Sequence, residues 1–174
     1  EKPSVAKSIA SALGAKSRAD GFYEGNDLIV SWCVGHLVSP LDAAGYDESF
    51  KKWRYDDLPI MPEPFRYVTA PGKEAVFENL RSLMDRPDVE QIVNACDAGR
   101  EGELIFRYIY TMVGCQKPFR RLWISSMTDE AIREGFARLL PGGDYDNLYR
   151  SAKCRAEADW LVGMNASRGY TLQY

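Results

Sequence analysis

The sequence predicts an α/β fold, with a mainly parallel sheet flanked by helices and, at its end, the helical start of a following domain. Three observations carry that expectation. Apolar residues at helical spacing alternate along the chain with short apolar runs. Glycine or proline stands at many of the boundaries between them. Past residue 142 the alternation stops and one long, locally basic helical segment takes over.

The elements follow in order. After Pro3, Val5, Ile9 and Leu13 recur every four residues and stop at Gly14, which predicts a helix closed by glycine. Phe22 and Tyr23, a turn at Gly25-Asn26-Asp27 and the run from Leu28 to Val34 read as a hairpin whose second strand ends at Gly35-His36. From 39 to 71 the period is lost across Pro40, Pro59, Pro62, Pro64 and Pro71, with Trp53, Tyr55 and Phe65 as isolated anchors, so a long ordered loop is expected. Ala75, Val76, Leu80, Leu83 and Met84 give a second amphipathic helix. A short strand over 91–96 then runs into a third helix carrying Leu104, Ile105, Phe106, Ile109, Met112 and Val113. Residues 121–125 suit another strand, and Thr128 caps a helix bearing Ile132, Phe136 and Leu139. Beyond the turn Pro141-Gly142-Gly143-Asp144 a helix from Asn147 to about Gly163 carries Arg150, Lys153 and Arg155, with Arg168 beyond it. The domain boundary is placed at that turn, giving 1–142 and 143–174.

Composition narrows the classes. At 174 residues the chain is long enough for one full core and too short for two complete domains. Hydrophobic residues at 45% and charged residues at 27% exclude wholesale disorder and a collagen-like chain. No apolar run approaches the roughly 20 residues of a membrane span, and the N-terminus lacks a signal-peptide pattern. A net charge of −3 gives no general basic field, so nucleic acid would be met through a local patch or bound cations. The four cysteines lie far apart, and the single histidine, His36, does not complete a zinc set, which favours a reducing, cytoplasmic setting. The absence of an initial methionine is consistent with a fragment.

The chemistry concentrates at Asp97-Ala98-Gly99-Arg100-Glu101-Gly102-Glu103. Ligands of open α/β sheets gather where strands end and helices begin. Asp97 and Glu101, four residues apart across such a turn, offer two hard oxygen donors suited to Mg²⁺ beside phosphate. Gly99 can adopt positive φ and leave backbone N–H groups free to face an anion, and Arg100 adds a planar donor fork. A plain helix N-cap with a solvated first turn explains the same residues, because acidic side chains favour helix N-termini.

This stretch resembles the acidic motif of the Toprim domain in type IA DNA topoisomerases, most closely the bacterial topoisomerase III branch. Glu1-Lys2-Pro3-Ser4-Val5-Ala6 is similar to the family's other signature, in which a glutamate ends the first strand and a Lys-Pro-Ser turn opens the first helix. Gly35-His36-Leu37 resembles its Gly-His-Leu element. Arg155-Ala156-Glu157-Ala158-Asp159-Trp160-Leu161, with Gly163, Asn165 and Arg168 to Thr171, resembles the beginning of the next domain.

The resemblance implies a Rossmann-like Toprim fold in 1–142 and, in the parent protein, Mg²⁺-dependent cleavage, strand passage and religation of single-stranded DNA through a 5′-phosphotyrosyl link, without ATP. It implies proton transfer by Glu1, metal ligation by Glu1, Asp97 and Glu101, phosphate contacts from Lys2 and Arg100, and a DNA path through His36, Arg155, Asp159 and Arg168. The partners implied are single-stranded and negatively supercoiled DNA and further domains of the same polypeptide, in a cytoplasmic, nucleoid-associated setting. The usual pattern is Asp-x-Asp-x-Glu, whereas position 99 here is glycine, leaving one carboxylate fewer. The nucleophilic tyrosine of the family lies in a later domain, so this chain alone is expected to be inactive. The family's first strand leads into the glutamate at position 1 and forms a central part of its sheet. Two other readings stand beside this one: another Toprim enzyme, a primase or nuclease, and a non-catalytic, metal-dependent DNA-binding module. For His36, a structural role after a strand competes with a place at the site.

Overall fold

The structure, a computed structural model, describes residues 2–174. Helix α1 (Pro3–Leu13) starts with proline in its first turn and ends at Gly14, whose φ of 85° is the left-handed cap that glycine adopts without strain. Strands β1 (Ser17–Ala19), β2 (Phe22–Gly25) and β3 (Leu28–Ser31) form an antiparallel sheet. Asn26 and Asp27 both have positive φ at the tip of the β2–β3 hairpin, the backbone that a tight two-residue turn requires. The expected hairpin is therefore present, with β1 added at its edge. Ser17-Arg18-Ala19 is exposed and carries no apolar alternation, so nothing in its sequence marks it as a strand.

The segment from 38 to 69 is more ordered than a loop. Strands β4 (Val38–Pro40) and β5 (Tyr67–Thr69) pair antiparallel, and a short helix α2 (Ala43–Tyr46) with two 3-10 turns lies between them. Helix α3 (Glu74–Asp85) leads to β6 (Ile92–Asn94), helix α4 (Arg100–Val113), β7 (Phe119–Arg121), helix α5 (Asp129–Ala137) and β8 (Leu140–Pro141). The Thr128 hydroxyl accepts the Ala131 N–H at 3.3 Å, the cap expected of it.

The α/β class holds, but the pairing is more antiparallel than the mainly parallel sheet expected. Among the described residues β6–β7 is the parallel pair, and β8 joins β7 antiparallel. The hairpin sheet and the β6–β7–β8 sheet are not hydrogen-bonded to each other; an apolar cavity of about 990 Å³, lined by Val5, Ile9, Val30, Val93 and Ile109 among others, lies between them. Strand β6 is shorter than 91–96 because the Asn94 side chain takes the Cys96 N–H at 3.1 Å and turns the chain out of the ladder. Strand β7 lies earlier than 121–125, because the contacts beside β6 run from Pro118 O, which accepts the Ile92 N–H, to Leu122 N, which donates to Asn94 O.

Two clusters form the core. Ile9, Ala12, Leu122 and Ile132 join α1 to α5 and the end of β7, while Leu37, Phe77, Leu104, Ile105, Tyr108 and Ile109 centre on α4. Each such buried aliphatic or aromatic side chain contributes about 1.5–3 kcal/mol. Helix α6 (Asp146–Gln173) runs well past the expected stop at Gly163. An interior glycine costs only about 1 kcal/mol relative to alanine, and side chains on both sides of Gly163 tie the helix to the 41–66 segment. Asn165 accepts the Ile60 N–H at 2.6 Å and donates to Ile60 O at 2.9 Å, and Trp160 packs edge-on against Phe65. Near its start α6 packs Tyr149 and Ala152 on the α4 core.

Candidate functional site

The acidic stretch forms the passage from β6 through a turn into α4, at the end of the parallel strand, where the sequence places it. Asp97, Arg100 and Glu101 are exposed on that turn and on the first turn of the helix. Glu103 N–H donates to Gly99 O at 3.1 Å, which closes the helix start. Gly99 has φ of 173°, an extended backbone that any residue adopts, and its α-carbon faces open space. The positive-φ anion cradle that glycine allows at position 99 is therefore not formed. The glycine the turn requires is Gly102. A Cβ there would press into the Asp97 carbonyl oxygen and stand 2.9 Å from Asp97 N, closer than real Cβ contacts come.

Beneath the turn lies a buried polar group. Arg121, Glu103 and Asn94 have 0% exposure. Arg121 Nη1 donates to Cys96 O at 2.6 Å and Asn94 O at 3.0 Å, and its Nη2 donates to Asp97 O at 2.6 Å. Glu103 accepts from Asn94 Nδ2 at 2.9 Å and from Arg107 Nε at 2.8 Å. Its Oε2 also stands 3.2 Å from Arg121 Nε, a charge pairing whose angles do not make a hydrogen bond. Burial pushes the Arg121 guanidinium down from its ordinary pKa, and the Glu103 charge opposes that shift. Trp123 and Tyr145 stack with ring centres 5.0 Å apart, and the guanidinium lies 5.0 Å from the Trp123 ring.

The neighbouring segments bring some of the expected residues here and hold others away. Gly35, with φ of 68°, turns the chain ahead of β4, and His36 Nε2 reaches Glu101 Oε2 at 3.2 Å. Both side chains are well exposed, which makes this pair a solvent-facing contact. Lys2 is exposed at the N-cap of α1, whose first-turn residues Val5 and Ala6 line the same cavity as Ala95 and Cys96 just before Asp97. Glu1 lies outside the described residues. Arg155 and Asp159 form an exposed i,i+4 pair on α6 at 3.6 Å, a contact worth a few tenths of a kcal/mol. Arg168, expected on the DNA path, is 4% exposed; its Nη1 donates to Phe50 O at 2.9 Å and its guanidinium lies 5.2 Å from the Trp53 ring. In this structure it clamps the 41–66 segment onto α6.

Among the described residues, no three His, Cys, Asp or Glu side chains gather closely enough to enclose a metal. Two carboxylates on one exposed turn do suit a hard cation that keeps most of its waters, as Mg²⁺ does, and do not suit a closed zinc site. No helix among the described residues is long and apolar enough to cross a membrane.

The sequence did not single out Gly102, nor Arg121 as more than the start of a strand. An arginine opening an apolar strand and a glycine within the first turn of a helix were the available signals, each against local preference.

Comparison with known proteins gives a consistent result. A family model described as the Toprim domain matches residues 1–127. Over all 174 residues the chain is 49% identical to DNA topoisomerase 3 of Bacillus subtilis (strain 168) and 48% identical to DNA topoisomerase 3 of Bacillus anthracis, covering 24% of each. It thus spans about a quarter of the length of these curated relatives. Among solved structures, full-length topoisomerase I of Thermotoga maritima shares the fold at a TM-score of 0.62 and 24% identity, over 93% of this chain and 23% of that one.

Proposed function

The chain belongs to the Toprim family, and from that premise we propose that it is the Toprim portion of a type IA DNA topoisomerase of the bacterial topoisomerase III kind. Residues 143–174 begin the domain that follows. The observation that carries the proposal is the turn between β6 and α4, which presents Asp97, Arg100 and Glu101 together to solvent with His36 on Glu101. Identity to the two Bacillus enzymes along the whole chain supports it.

In this reading a tyrosine from a later domain attacks a phosphate of single-stranded DNA. Its oxygen bonds to phosphorus, the bond to the 3′ oxygen breaks, and a 5′-phosphotyrosyl link forms; the reverse step religates the strand without ATP. Such chemistry depends on placing charge and holding groups in line. Asp97 and Glu101, with Glu1, hold a divalent cation, for which Mg²⁺ is the proposed identity. When bound, the ion neutralises charge on the phosphate and adjoining oxygens. Arg100 and Lys2 steady the scissile phosphate with charged donors. Glu1 carries the proton to the leaving 3′ oxygen and takes it back on religation. His36 orients the Glu101 carboxylate, while Arg155 and Asp159 border the DNA path on α6. The proposed partners are single-stranded and negatively supercoiled DNA and the remaining domains of the polypeptide, in the cytoplasm at the nucleoid.

Calorimetric titration of Mg²⁺ into the chain, with and without a short single-stranded oligonucleotide, tests the metal assignment. One weak site is expected, lost in both Asp97→Asn and Glu101→Gln. Binding that survives both substitutions, or no binding to the unaltered chain in either condition, overturns it.

A further inference from the structure

We propose that Arg121 is a positioning residue: from beneath the acidic turn it grips the carbonyls of Cys96 and Asp97 and so fixes where the Asp97 carboxylate points. The proposal deepens the metal reading given above and rests on it for its functional meaning. Its structural content stands on the contacts alone.

The geometry carries the inference. A solvent-facing turn between a strand and a helix has few neighbours to hold it, and Asp97 and Ala98 are exposed. The main chain on their inner side is nevertheless bound. One nitrogen of a fully buried guanidinium takes Cys96 O and the other takes Asp97 O, both at 2.6 Å. A planar fork can hold two successive carbonyls at once, which a single ammonium cannot do with the same rigidity. The fork is itself fixed, since Nη1 also meets Asn94 O and Leu122 O, and Glu103, 3.2 Å away, supplies the opposite charge. Glu103 is held in turn by Asn94 and Arg107. Gly102 completes the arrangement, because only a residue without Cβ lets α4 approach the same Asp97 carbonyl that Arg121 binds. A bulk structural role would need a charge buried near Glu103. It would not need the fork spent on main-chain oxygens of the turn.

R121K keeps the charge opposite Glu103 and removes the fork. In the full chain, amide hydrogen exchange followed by NMR is expected to quicken at least tenfold in R121K at Cys96 and Glu103, whose N–H groups donate to Asn94 Oδ1 and Gly99 O on either side of the turn, beyond any change elsewhere. I60V, a core control in the segment between β4 and β5, leaves those amides as in the unaltered protein. The Mg²⁺ dissociation constant is expected to rise at least tenfold in R121K and to stay constant in I60V. Exchange at Cys96 and Glu103 that is unchanged, or that rises by one factor throughout the molecule, overturns the proposal. Should R121K not fold, the unaltered protein decides: separate, slowly exchanging Arg121 Nη resonances support the grip, and averaged signals from a freely rotating guanidinium contradict it. The metal reading fails separately. If the unaltered chain binds no Mg²⁺, that reading is lost while the exchange data still judge the grip; if D97N loses Mg²⁺ and R121K does not, the positioning role is lost and the metal reading stands.

Discussion

Gly102→Ala is expected to cost the domain about 3 kcal/mol, at the upper end of overpacking effects, and to take Mg²⁺ binding with it. The added methyl would meet main-chain atoms of Asp97, which cannot rotate away as a flexible side chain would. Either α4 moves outward or the turn does. Moving the helix disturbs Leu104, Ile105, Tyr108 and Ile109, all buried in the larger core cluster. Moving the turn draws Asp97 O from Arg121 Nη2, to which it is bound at 2.6 Å, and leaves a buried donor without its acceptor. Alanine is otherwise the better helix former, so intrinsic propensity alone would raise stability by up to about 1 kcal/mol. The sign of the change is therefore diagnostic. Urea denaturation checks it, with a lowered midpoint expected and an equal or raised midpoint showing that α4 does not sit against the turn.

Glu103→Leu is expected to cost about 3–5 kcal/mol, the range found when one partner of a buried ion pair is removed. Leucine is close in size and suits a helix interior, so neither cavity nor propensity explains the loss. Arg107 keeps Asp146 Oδ1 at 2.8 Å and Gly142 O at 2.8 Å, and so retains partners. Arg121 has no other ion pair among the described residues, and its charge would stay buried with no opposing carboxylate. The Asn94 amide would also lose its acceptor. Glu103→Gln keeps an oxygen for Asn94 and is expected to lose less. Thermal unfolding of the two variants beside the unaltered chain measures the difference, and equal melting temperatures in all three would show that Glu103 does not neutralise Arg121.

The parts legible in the sequence were those fixed by local chemistry. Helical periodicity placed α1 and α4, with Gly14 closing α1, the Thr128 cap placed α5, and the Asn26-Asp27 turn placed the hairpin, because each signal acts within a few residues. Asp97, Arg100 and Glu101 were legible as a solvent-facing turn for the same reason. Contacts between distant segments were not legible. Ile60 and Asn165 are 105 positions apart, and it is such bonds that carry α6 past Gly163 and draw Arg168 into the interior. Likewise, Arg121 faces the turn only because β7 lies beside β6. Gly99 was credited with a conformation that the extended backbone does not need, while Gly102, whose missing Cβ matters, was set by an approach that no local pattern encodes.

That this chain is the Toprim portion of a type IA topoisomerase, as proposed, can be tested by a graft. The chain would replace the matching N-terminal quarter of Bacillus subtilis DNA topoisomerase 3, to which it is 49% identical, and the hybrid would be assayed on negatively supercoiled DNA. Mg²⁺-dependent relaxation without ATP is expected, with a transient 5′-phosphotyrosyl link, both abolished by Asp97→Asn. A folded hybrid that leaves the DNA supercoiled, makes permanent breaks, or relaxes DNA equally well with Asp97→Asn would contradict it.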